Sequence, residues 1–308
     1  METIKIKFDK LWNGFDQTDN YFTRLLSKRF NVEISDDPDF YFFTHNYFGT
    51  ENYLKYKCHR IFLGWENERA NWNICDYVLD GDFYPNNQRH KRFPMWSTFE
   101  VDRLIQPKNL QAYLGKEKFC CMLVSNPKAK ERIEFFHKLS AYKKVDSAGR
   151  YLNNVGHTVD NKMEFIKDYK FVISFENSSY PGYTTEKLVE PMFAHSVPIY
   201  WGNPEVGKDF NTKSFINISD FKSYDKAIDF IIKLDNDEEA FREMAAQPWF
   251  NENKIPTEFR DENFLDFFDF IANDSRTKKP FAKSFFKRNA HKVKLLRRKL
   301  MWRLGVKK

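Results

Sequence analysis

The sequence predicts an α/β fold of two domains, because segments of strand length recur between segments of helix length along the chain. The aromatic content of 18% supports packed cores, and 308 residues are enough for two of them. No run of 18 consecutive apolar residues occurs, so a transmembrane helix is not predicted.

Residues 1–115 are expected to form the first domain. Residues 4–8 alternate between apolar and polar, as a half-buried strand does, and Asp19 is placed to cap a helix over residues 20–28. The polar run 106–117 predicts the connection that ends this domain. Further strands are expected at residues 31–34, 40–43, 61–63 and 77–79.

A second series of strands and helices predicts another domain over residues 116–275. It starts with a strand at 119–124 and a helix over 128–140, which Pro127 opens. Pro191 lies inside an expected helix at 185–195, so that helix should kink or end early. The remaining elements are strands at 171–175 and 197–200, which flank that helix, and helices at 224–234, 238–246 and 258–271.

The positive charge is concentrated at the end of the chain. From Arg276 onward there are 14 Lys or Arg and no Asp or Glu, so residues 1–275 carry a net charge of −7. An acidic body argues against binding of nucleic acid by the globular part of the chain, and we expect no nucleic-acid partner. Apolar residues recur at helical spacing within 279–308, which predicts a basic amphipathic helix on an anionic membrane; docking on the body is the alternative.

Cysteine use and the first residues bear on the compartment. The four cysteines, Cys58, Cys75, Cys120 and Cys121, form no C-x-x-C pair, and we expect them to be reduced and mostly buried. The first residues, METIKIKF, lack the apolar core of a signal peptide. These observations predict a cytoplasmic protein, held peripherally on the inner membrane face by its tail.

A polar cluster lies between two predicted strands, at residues 176–187. It follows the carboxyl end of one strand and precedes a helix, which is where open α/β folds bind charged ligands. Lys187 and the free backbone N–H groups of the first helical turn suit a diphosphate, and Glu186 could accept hydrogen bonds from ribose hydroxyls. Gly182 allows close backbone approach. The alternative is that Glu186 and Lys187 are solvated surface residues.

The run F-E-N, followed by G-Y-x-T-E-K and P-I-Y-W-G, resembles the signature of the α1,3/4-fucosyltransferase family, glycosyltransferase family 10, and is most similar to its bacterial members. The resemblance extends more weakly over residues 3–275. It implies the GT-B architecture, with two Rossmann-like domains facing a cleft and the basic amphipathic helix after them. It also implies GDP-fucose as donor and an N-acetylglucosamine or glucose unit as acceptor, in the setting of lipopolysaccharide or capsule synthesis.

The resemblance assigns the donor site residue by residue. Glu186 would hold the ribose hydroxyls, and Lys187 would hold the diphosphate. Arg132, in the matching segment 124–132, would clamp the diphosphate, a task that suits a bidentate guanidinium. The donor residues implied by the resemblance are Arg132, Asn177, Tyr183, Glu186 and Lys187. Ser125 and Asn126 are added because they follow a strand at the edge where such folds bind ligands.

The segment from Arg60 to Asp80 resembles the part of the family that holds its proposed catalytic base. Glu66 matches the family's glutamate, although Trp65 separates it from Gly64, and Glu68 is a neighbouring candidate. The implied reaction is a single inverting displacement, in which Glu66 takes the proton of the acceptor hydroxyl, O3 or O4 of the sugar. We expect no metal and no other cofactor.

Three alternatives remain open at this stage. The run Asp80-Gly81-Asp82 matches the D-x-D metal motif of GT-A glycosyltransferases, but it is also ordinary turn chemistry. The chain could be another metal-independent GT-B transferase with a different nucleotide sugar. It could also be a non-enzymatic protein that binds membrane or nucleic acid through its tail.

Overall fold

A computed structural model describes residues 1–281 except Lys10, Asn13, 45–52, Leu54 and Pro85, together with Val293 and Leu296. The chain divides into two compact units. Unit 1 comprises Met1–Asp80, Tyr84–Phe93 and the chain from Glu258 onward. Unit 2 comprises Gly81–Phe83 and Pro94–Thr257.

Unit 1 contains a six-stranded sheet with strand order β2-β1-β3-β4-β5-β6, in which every pairing is parallel. All five strands expected here are confirmed, and four of them have every residue or alternate residues buried, as their apolar patterns predict. The strands are β1 (Glu2–Phe8), β2 (Phe30–Ile34), β3 (Phe40–Phe43), β4 (His59–Gly64), β5 (Tyr77–Asp80) and β6 (His90–Arg92).

Helix α1 (Tyr21–Leu26) follows β1, and its cap differs from the prediction. Asn20, not Asp19, is the cap: its Oδ1 accepts hydrogen bonds from the backbone N–H of Phe22 (3.0 Å) and Thr23 (3.1 Å). Asp19 instead accepts a hydrogen bond from Arg24 at 2.6 Å. The amide of Asn20 also donates to backbone carbonyls, which a carboxylate cannot do.

Helix α8 (Asp261–Thr277) belongs to unit 1, although we expected residues 258–271 in the second domain. The reason is its apolar face, which joins the core beneath the six-stranded sheet. The ring of Phe268 lies 5.3 Å from that of Phe40 and 5.6 Å from that of Phe30. Arg29 also binds three carboxylates of α8. The chain therefore returns to unit 1 after Thr257, well before the expected boundary at residue 275.

Unit 2 contains a five-stranded parallel sheet with strand order β11-β10-β9-β7-β8. The strands predicted near 119–124, 171–175 and 197–200 are confirmed. The strands are β7 (Lys118–Met122), β8 (Val145–Ser147), β9 (Tyr169–Phe175), β10 (Val197–Trp201) and β11 (Ile216–Asn217). The helices are α2 (Leu110–Leu114), α3 (Lys130–Ser140), α4 (Lys162–Ile166), α5 (Glu186–Phe193), α6 (Tyr224–Asn236) and α7 (Glu238–Ala246).

The segment 94–115 packs within unit 2, whereas we expected it to close the first domain. The buried ring of Trp96 lies 4.8 Å from that of Phe210, and the buried ring of Tyr113 lies 5.4 Å from that of His195. The polar run 106–117 predicted a connection between domains, but these aromatic contacts hold the segment in unit 2. Helix α5 ends at Phe193 with Pro191 inside it, as the proline predicts.

The cysteines are as predicted: none forms a disulfide, three are buried and Cys58 is half-buried. Within the ranges that the structure describes, no helix has the length and apolar character needed to cross a membrane. The expected tail helix falls almost entirely outside the described residues, so it stays a prediction.

Candidate functional site

The candidate site lies at the carboxyl ends of β9 and its two neighbours, β7 and β10, in unit 2. The loop 176–185 joins β9 to α5, and the loop 123–129 joins β7 to α3. Because the strands are parallel, these loops meet at one edge of the sheet. Most of the sequence-predicted donor residues are brought together here.

Glu176 is the centre of this edge, and the sequence reasoning gave it no role. It follows β9 directly and is fully buried, with 0% of its surface exposed. Its Oε1 accepts a hydrogen bond from the backbone N–H of Thr185, and its Oε2 accepts one from the Thr185 hydroxyl, both at 2.8 Å. Burial raises the pKa of Glu176, although Lys187 opposes that change. The carboxylate thus ties the two ends of the loop together.

Lys187 and Glu186 form a charged pair in the first turn of α5, and the side chains are each 23% exposed. Lys187 Nζ lies 2.9 Å from Glu186 Oε1, 3.1 Å from Thr185 Oγ1 and 3.5 Å from Glu176 Oε2. Burial opposes the charge of Lys187, but the two carboxylates outweigh it and raise the pKa of this lysine. Burial likewise opposes the charge of Glu186, yet Lys187 and Lys162 hold its pKa below the usual value. Both side chains are therefore charged at neutral pH.

Arg132 extends from α3 to the end of β9 and is 4% exposed. Its Nε donates to the carbonyl of Phe175 at 3.0 Å, and its Nη2 donates to the same carbonyl and to Asn177 Oδ1 at 3.1 Å. Nη1 makes no hydrogen bond to any residue that the structure describes. Burial lowers the pKa of Arg132, and the charge of Glu176 opposes that change. Arg132 thus fixes Asn177 and keeps one nitrogen available.

Gly182 is required by the shape of the loop. Its φ is +87°, and a Cβ atom there would lie 1.9 Å from the carbonyl oxygen of Gly81. A Cβ on Gly81 would in turn lie 2.4 Å from the carbonyl oxygen of Gly182. The two backbones can approach this closely only because both residues are glycine. The Gly182 N–H donates to Asn203 Oδ1 at 2.9 Å.

Asn203 is a second residue that the sequence reasoning missed. It is 1% exposed, and its Nδ2 donates to Thr184 Oγ1 at 3.1 Å while its backbone N–H donates to the Tyr200 hydroxyl at 3.1 Å. The Tyr200 hydroxyl lies 3.4 Å from the carbonyl oxygen of Tyr183. The residue Tyr183 is 6% exposed. Asn203 follows the P-I-Y-W-G segment, and Glu176 lies within F-E-N, so both residues belong to the motif that marked the site.

Ser125 and Asn126 lie in the loop after β7, at the same edge. Ser125 is exposed, and Asn126 is half-buried. Asn126 Oδ1 accepts a hydrogen bond from the backbone N–H of Lys128 at 2.9 Å, so this side chain shapes the turn. The turn delays the start of α3 to Lys130, two residues later than predicted.

Glu66 lies in unit 1, at the carboxyl end of β4, and is exposed. The ring of Trp65 stacks on that of Phe22, with centroids 5.9 Å apart and an interplanar angle of 10°. A Cβ on Gly64 would lie 2.8 Å from Asp80 Cβ, so this glycine is needed inside the strand. The extra residue is therefore accommodated by turning Trp65 toward the core, which leaves the Glu66 side chain exposed.

The run Asp80-Gly81-Asp82 has structural roles in this chain. Asp80 ends β5, and its Oδ1 lies 2.8 Å from His90 Nε2 on the neighbouring strand β6. Gly81 provides the close approach to Gly182. Across the described part of the chain, no group of three His, Cys, Asp or Glu side chains is placed to hold a metal ion.

Comparison with known proteins places the chain in a family. The family model described as glycosyltransferase family 10 (fucosyltransferase) C-term matches residues 113–278. The model described as alpha-(1,3)-fucosyltransferase FucT N-terminal domain matches residues 6–99. The chain belongs to glycosyltransferase family 10, as its motifs predict.

Two curated relatives are similar over part of their length. Alpha-(1,3)-fucosyltransferase FucT of Helicobacter pylori is 33% identical over 260 residues, which are 71% of this chain and 54% of that protein. Putative fucosyltransferase R654 of Acanthamoeba polyphaga mimivirus is 35% identical over 145 residues, which are 43% of this chain and 24% of that protein. The chain thus spans about half or less of the length of these relatives.

Solved structures confirm the predicted GT-B class of fold. An α1,3-fucosyltransferase with GDP-fucose is 26% identical, with a TM-score of 0.75 over 92% of each chain. An α1,3-fucosyltransferase structure without a named ligand is 26% identical, with a TM-score of 0.78 over 92% of each chain. Anabaena HepE in complex with UDP-glucose is 9% identical, with a TM-score of 0.52 over 88% of this chain and 100% of that one, and shares the fold alone.

Replacing Gly182 with Ala should destabilise unit 2 by about 3 kcal/mol or more, because the left-handed φ costs about 1 kcal/mol and the new Cβ overlaps the Gly81 carbonyl. Gly156→Ala is the matched control: its φ is +80°, but its Cβ meets nothing within 4 Å. Urea unfolding of both variants measures the difference. Equal losses of stability would show that the close approach is unimportant.

Proposed function

We propose that this protein transfers L-fucose from GDP-fucose to a hydroxyl group of an oligosaccharide. The observation that carries the proposal is the match, at 26% identity over 92% of each chain, to an α1,3-fucosyltransferase structure with GDP-fucose. The partly buried charged cluster of Arg132, Glu186 and Lys187 supports it, because a nucleoside diphosphate needs cations and its ribose needs hydrogen-bond acceptors.

In this proposal the donor binds at the edge of the unit 2 sheet. Lys187 and the available Nη1 of Arg132 face the diphosphate, and Glu186 accepts hydrogen bonds from the ribose diol. Asn177 and Tyr183 contact the nucleotide sugar beside them, with Ser125 and Asn126 on the neighbouring loop. Lys187 Nζ donates a hydrogen bond to Glu186 Oε1 at 2.9 Å without a ligand, so both side chains are already oriented and little rearrangement is needed on binding.

The proposed chemistry is one inverting displacement. Glu66 takes the proton of the acceptor hydroxyl while the oxygen of that hydroxyl bonds to the anomeric carbon of fucose. The bond between that carbon and the β-phosphate oxygen breaks, and its electron pair leaves with GDP. Lys187 and Arg132 stabilise the charge that develops on the leaving group, with no metal ion or other cofactor required.

The acceptor and the linkage belong to the same proposal. O3 of N-acetylglucosamine or glucose is the first candidate, because the name of the Helicobacter pylori relative specifies an α-(1,3) linkage. O4 is the second, because a Bos taurus relative, 31% identical over 146 residues, is a 3-galactosyl-N-acetylglucosaminide 4-alpha-L-fucosyltransferase. A donor other than GDP-fucose is the main alternative, since HepE shares the fold and is solved with UDP-glucose.

We further propose that the protein works in the cytoplasm on precursors of lipopolysaccharide or capsule, with residues 279–308 holding it on the anionic inner face of the membrane. The tail carries only basic side-chain charge, which supports binding to an anionic membrane. Residues 1–275 are acidic overall, which disfavours nucleic acid as the partner. A non-enzymatic protein acting through its tail is the remaining alternative.

Incubation with GDP-fucose, GDP-mannose and UDP-glucose, each with lactose, N-acetyllactosamine and its β1,3 isomer, tests the proposal. Transfer from GDP-fucose alone is expected, and NMR of the product gives the linkage and the anomeric configuration. Transfer should persist in excess EDTA, because side chains supply the cations. Transfer from another donor, or no transfer with any donor, would overturn the assignment.

Lys187→Met should weaken GDP binding about 10- to 100-fold, because a charged contact to the diphosphate is lost. Lys170→Met is the control: Lys170 is also in unit 2, is 18% exposed at its side chain against 23% for Lys187, and pairs with Asp235 at 3.3 Å. Calorimetric titration with GDP measures both variants. Similar affinities for the two variants would place the diphosphate elsewhere.

Glu66→Gln should reduce turnover about 10²-fold and leave GDP affinity unchanged, because the amide keeps the shape of the side chain and cannot accept the proton. Glu68→Gln is the control, since Glu68 is exposed in the same loop and its backbone N–H donates to the Glu66 carbonyl at 2.7 Å. Steady-state assays at saturating donor compare the variants. Full turnover in Glu66→Gln would remove this residue from the role of base.

Deletion of residues 282–308 should abolish binding to vesicles that contain phosphatidylglycerol and preserve GDP binding. The cut follows Phe281, whose N–H donates to Asp76 Oδ1 at 2.7 Å and whose ring lies 4.4 Å from the Arg89 guanidinium. Sedimentation with anionic and with phosphatidylcholine vesicles gives the measurement. Undiminished binding of the shortened protein to anionic vesicles would refute the membrane role of the tail.

A further inference from the structure

Unit 2 contains a cavity of about 270 Å³ at the carboxyl end of α5, away from Lys187 in its first turn. Its walls come from the segment that precedes α2, from α2 itself, from the carboxyl end of α5 and from the segment after α7. The side chains that matter for its chemistry are Arg103, Lys108, Tyr113, Phe193, His195 and Trp249.

The cavity has basic groups without a matching acid. Among the described residues that line it, Arg103, Lys108 and His195 are basic and none is acidic. Arg103 is 65% exposed at its side chain and pairs with Glu100 at 3.6 Å, and Glu100 does not line the cavity. Lys108 is the desolvated cation of the cavity, and among the described residues no acidic side chain pairs with it, which is unfavourable for a charged group.

Lys108 shows this imbalance most directly. Its Nζ donates to the Ala245 carbonyl at 3.0 Å and lies 3.4 Å from the centre of the Trp249 ring. Burial lowers the pKa of Lys108 to about 7. The pKa of His195 is also lowered, first by burial and then by the charges of Lys116, Lys108 and Arg103. Both shifts are those that a nearby anion would reverse.

Aromatic side chains form another part of the cavity wall, which also includes Gln106 and Asn109. The Arg103 guanidinium lies 5.3 Å from the centre of the Phe193 ring, and the Tyr113 ring lies 6.4 Å from that of Trp249. The Tyr113 hydroxyl is buried and makes no hydrogen bond to a described residue. The Trp249 side chain is its polar neighbour. Aromatic faces beside basic groups suit a ligand with an apolar body and an anionic end.

We propose that this cavity binds a small organic anion, a carboxylate on a flat apolar body about the size of benzoate. The carboxylate accepts hydrogen bonds from Lys108 and Arg103, and the body packs between Trp249 and Phe193. The volume corresponds to about nine water molecules at about 30 Å³ each, which fits one ring and one carboxylate. The inference does not depend on the proposed transferase activity, because its residues are distinct from the donor residues.

Titration of the full-length protein with benzoate, followed by ligand-observed NMR, tests the proposal. Benzamide is the neutral control, and we expect benzoate to bind at least about tenfold more tightly. Lys108→Met should weaken benzoate binding about tenfold or more, whereas Lys116→Met should not. Lys116 is the matched control because, like Lys108, it is a half-buried lysine of unit 2, and it donates to the Lys167 and Ala194 carbonyls and does not line the cavity.

Three results would overturn the proposal. The first is equal affinity for benzamide and benzoate. The second is unchanged benzoate affinity in Lys108→Met. The third is loss of benzoate binding in Lys187→Met but not in Lys108→Met, which would place benzoate in the proposed donor site. Absence of binding to the folded wild-type protein would overturn it as well.

A pH series on the wild-type protein keeps the test decisive if Lys108→Met does not fold. The titratable groups that line the cavity with Lys108 are Arg103, Tyr113 and His195, and the charge of Lys116 also lowers the pKa of His195. Because Lys108 loses its proton as pH rises through about 7, benzoate affinity should fall several-fold between about pH 6 and about pH 9. Lys108→Arg, which stays charged, should remove most of that decrease. Affinity independent of pH in the wild type would contradict the role of Lys108.

Discussion

A carboxylate with no access to solvent organises the candidate site. Glu176 is fully buried, which is unfavourable for a charged group, and the structure offsets that cost with two hydrogen bonds from Thr185 and the ammonium of Lys187. Because Thr185 caps α5, the same contacts set where the helix begins. The position of Glu186 and Lys187, in the first turn, therefore depends on a residue at the end of the preceding strand.

The surrounding contacts hold the rest of that edge. Arg132 binds the last carbonyl of β9, and Asn203 binds the loop at Gly182 and Thr184. Each of these polar groups has its partners inside unit 2, so the basic and acidic groups are oriented before a ligand binds. Preorganised charges of this kind stabilise charge that develops during a reaction, since they need little reorientation at that moment.

The sequence predicts the strands with four or more apolar or alternating residues, because that pattern reports burial directly. It does not predict β6 or β8, which have three residues each and include charged side chains. The polar cluster at residues 176–187 is predictable because its residues are close together in one motif. The role of Glu176 is not, since it follows from complete burial and from contacts with Thr185 nine residues away. The place of α8 is missed for a similar reason: its apolar face matches unit 1, while its position along the chain suggests unit 2.

The return of the chain at Thr257 has a consequence for biosynthesis. Unit 2 is continuous apart from Gly81–Phe83, so all of its sheet has been synthesised once the ribosome passes Thr257. Unit 1 completes its core only with α8, whose residues Phe264, Phe268 and Ile271 pack against strands made more than 150 residues earlier. Of the two units, the one that begins first is thus finished last, and the part of its sheet face that α8 covers, beside α1, stays open until α8 has been synthesised.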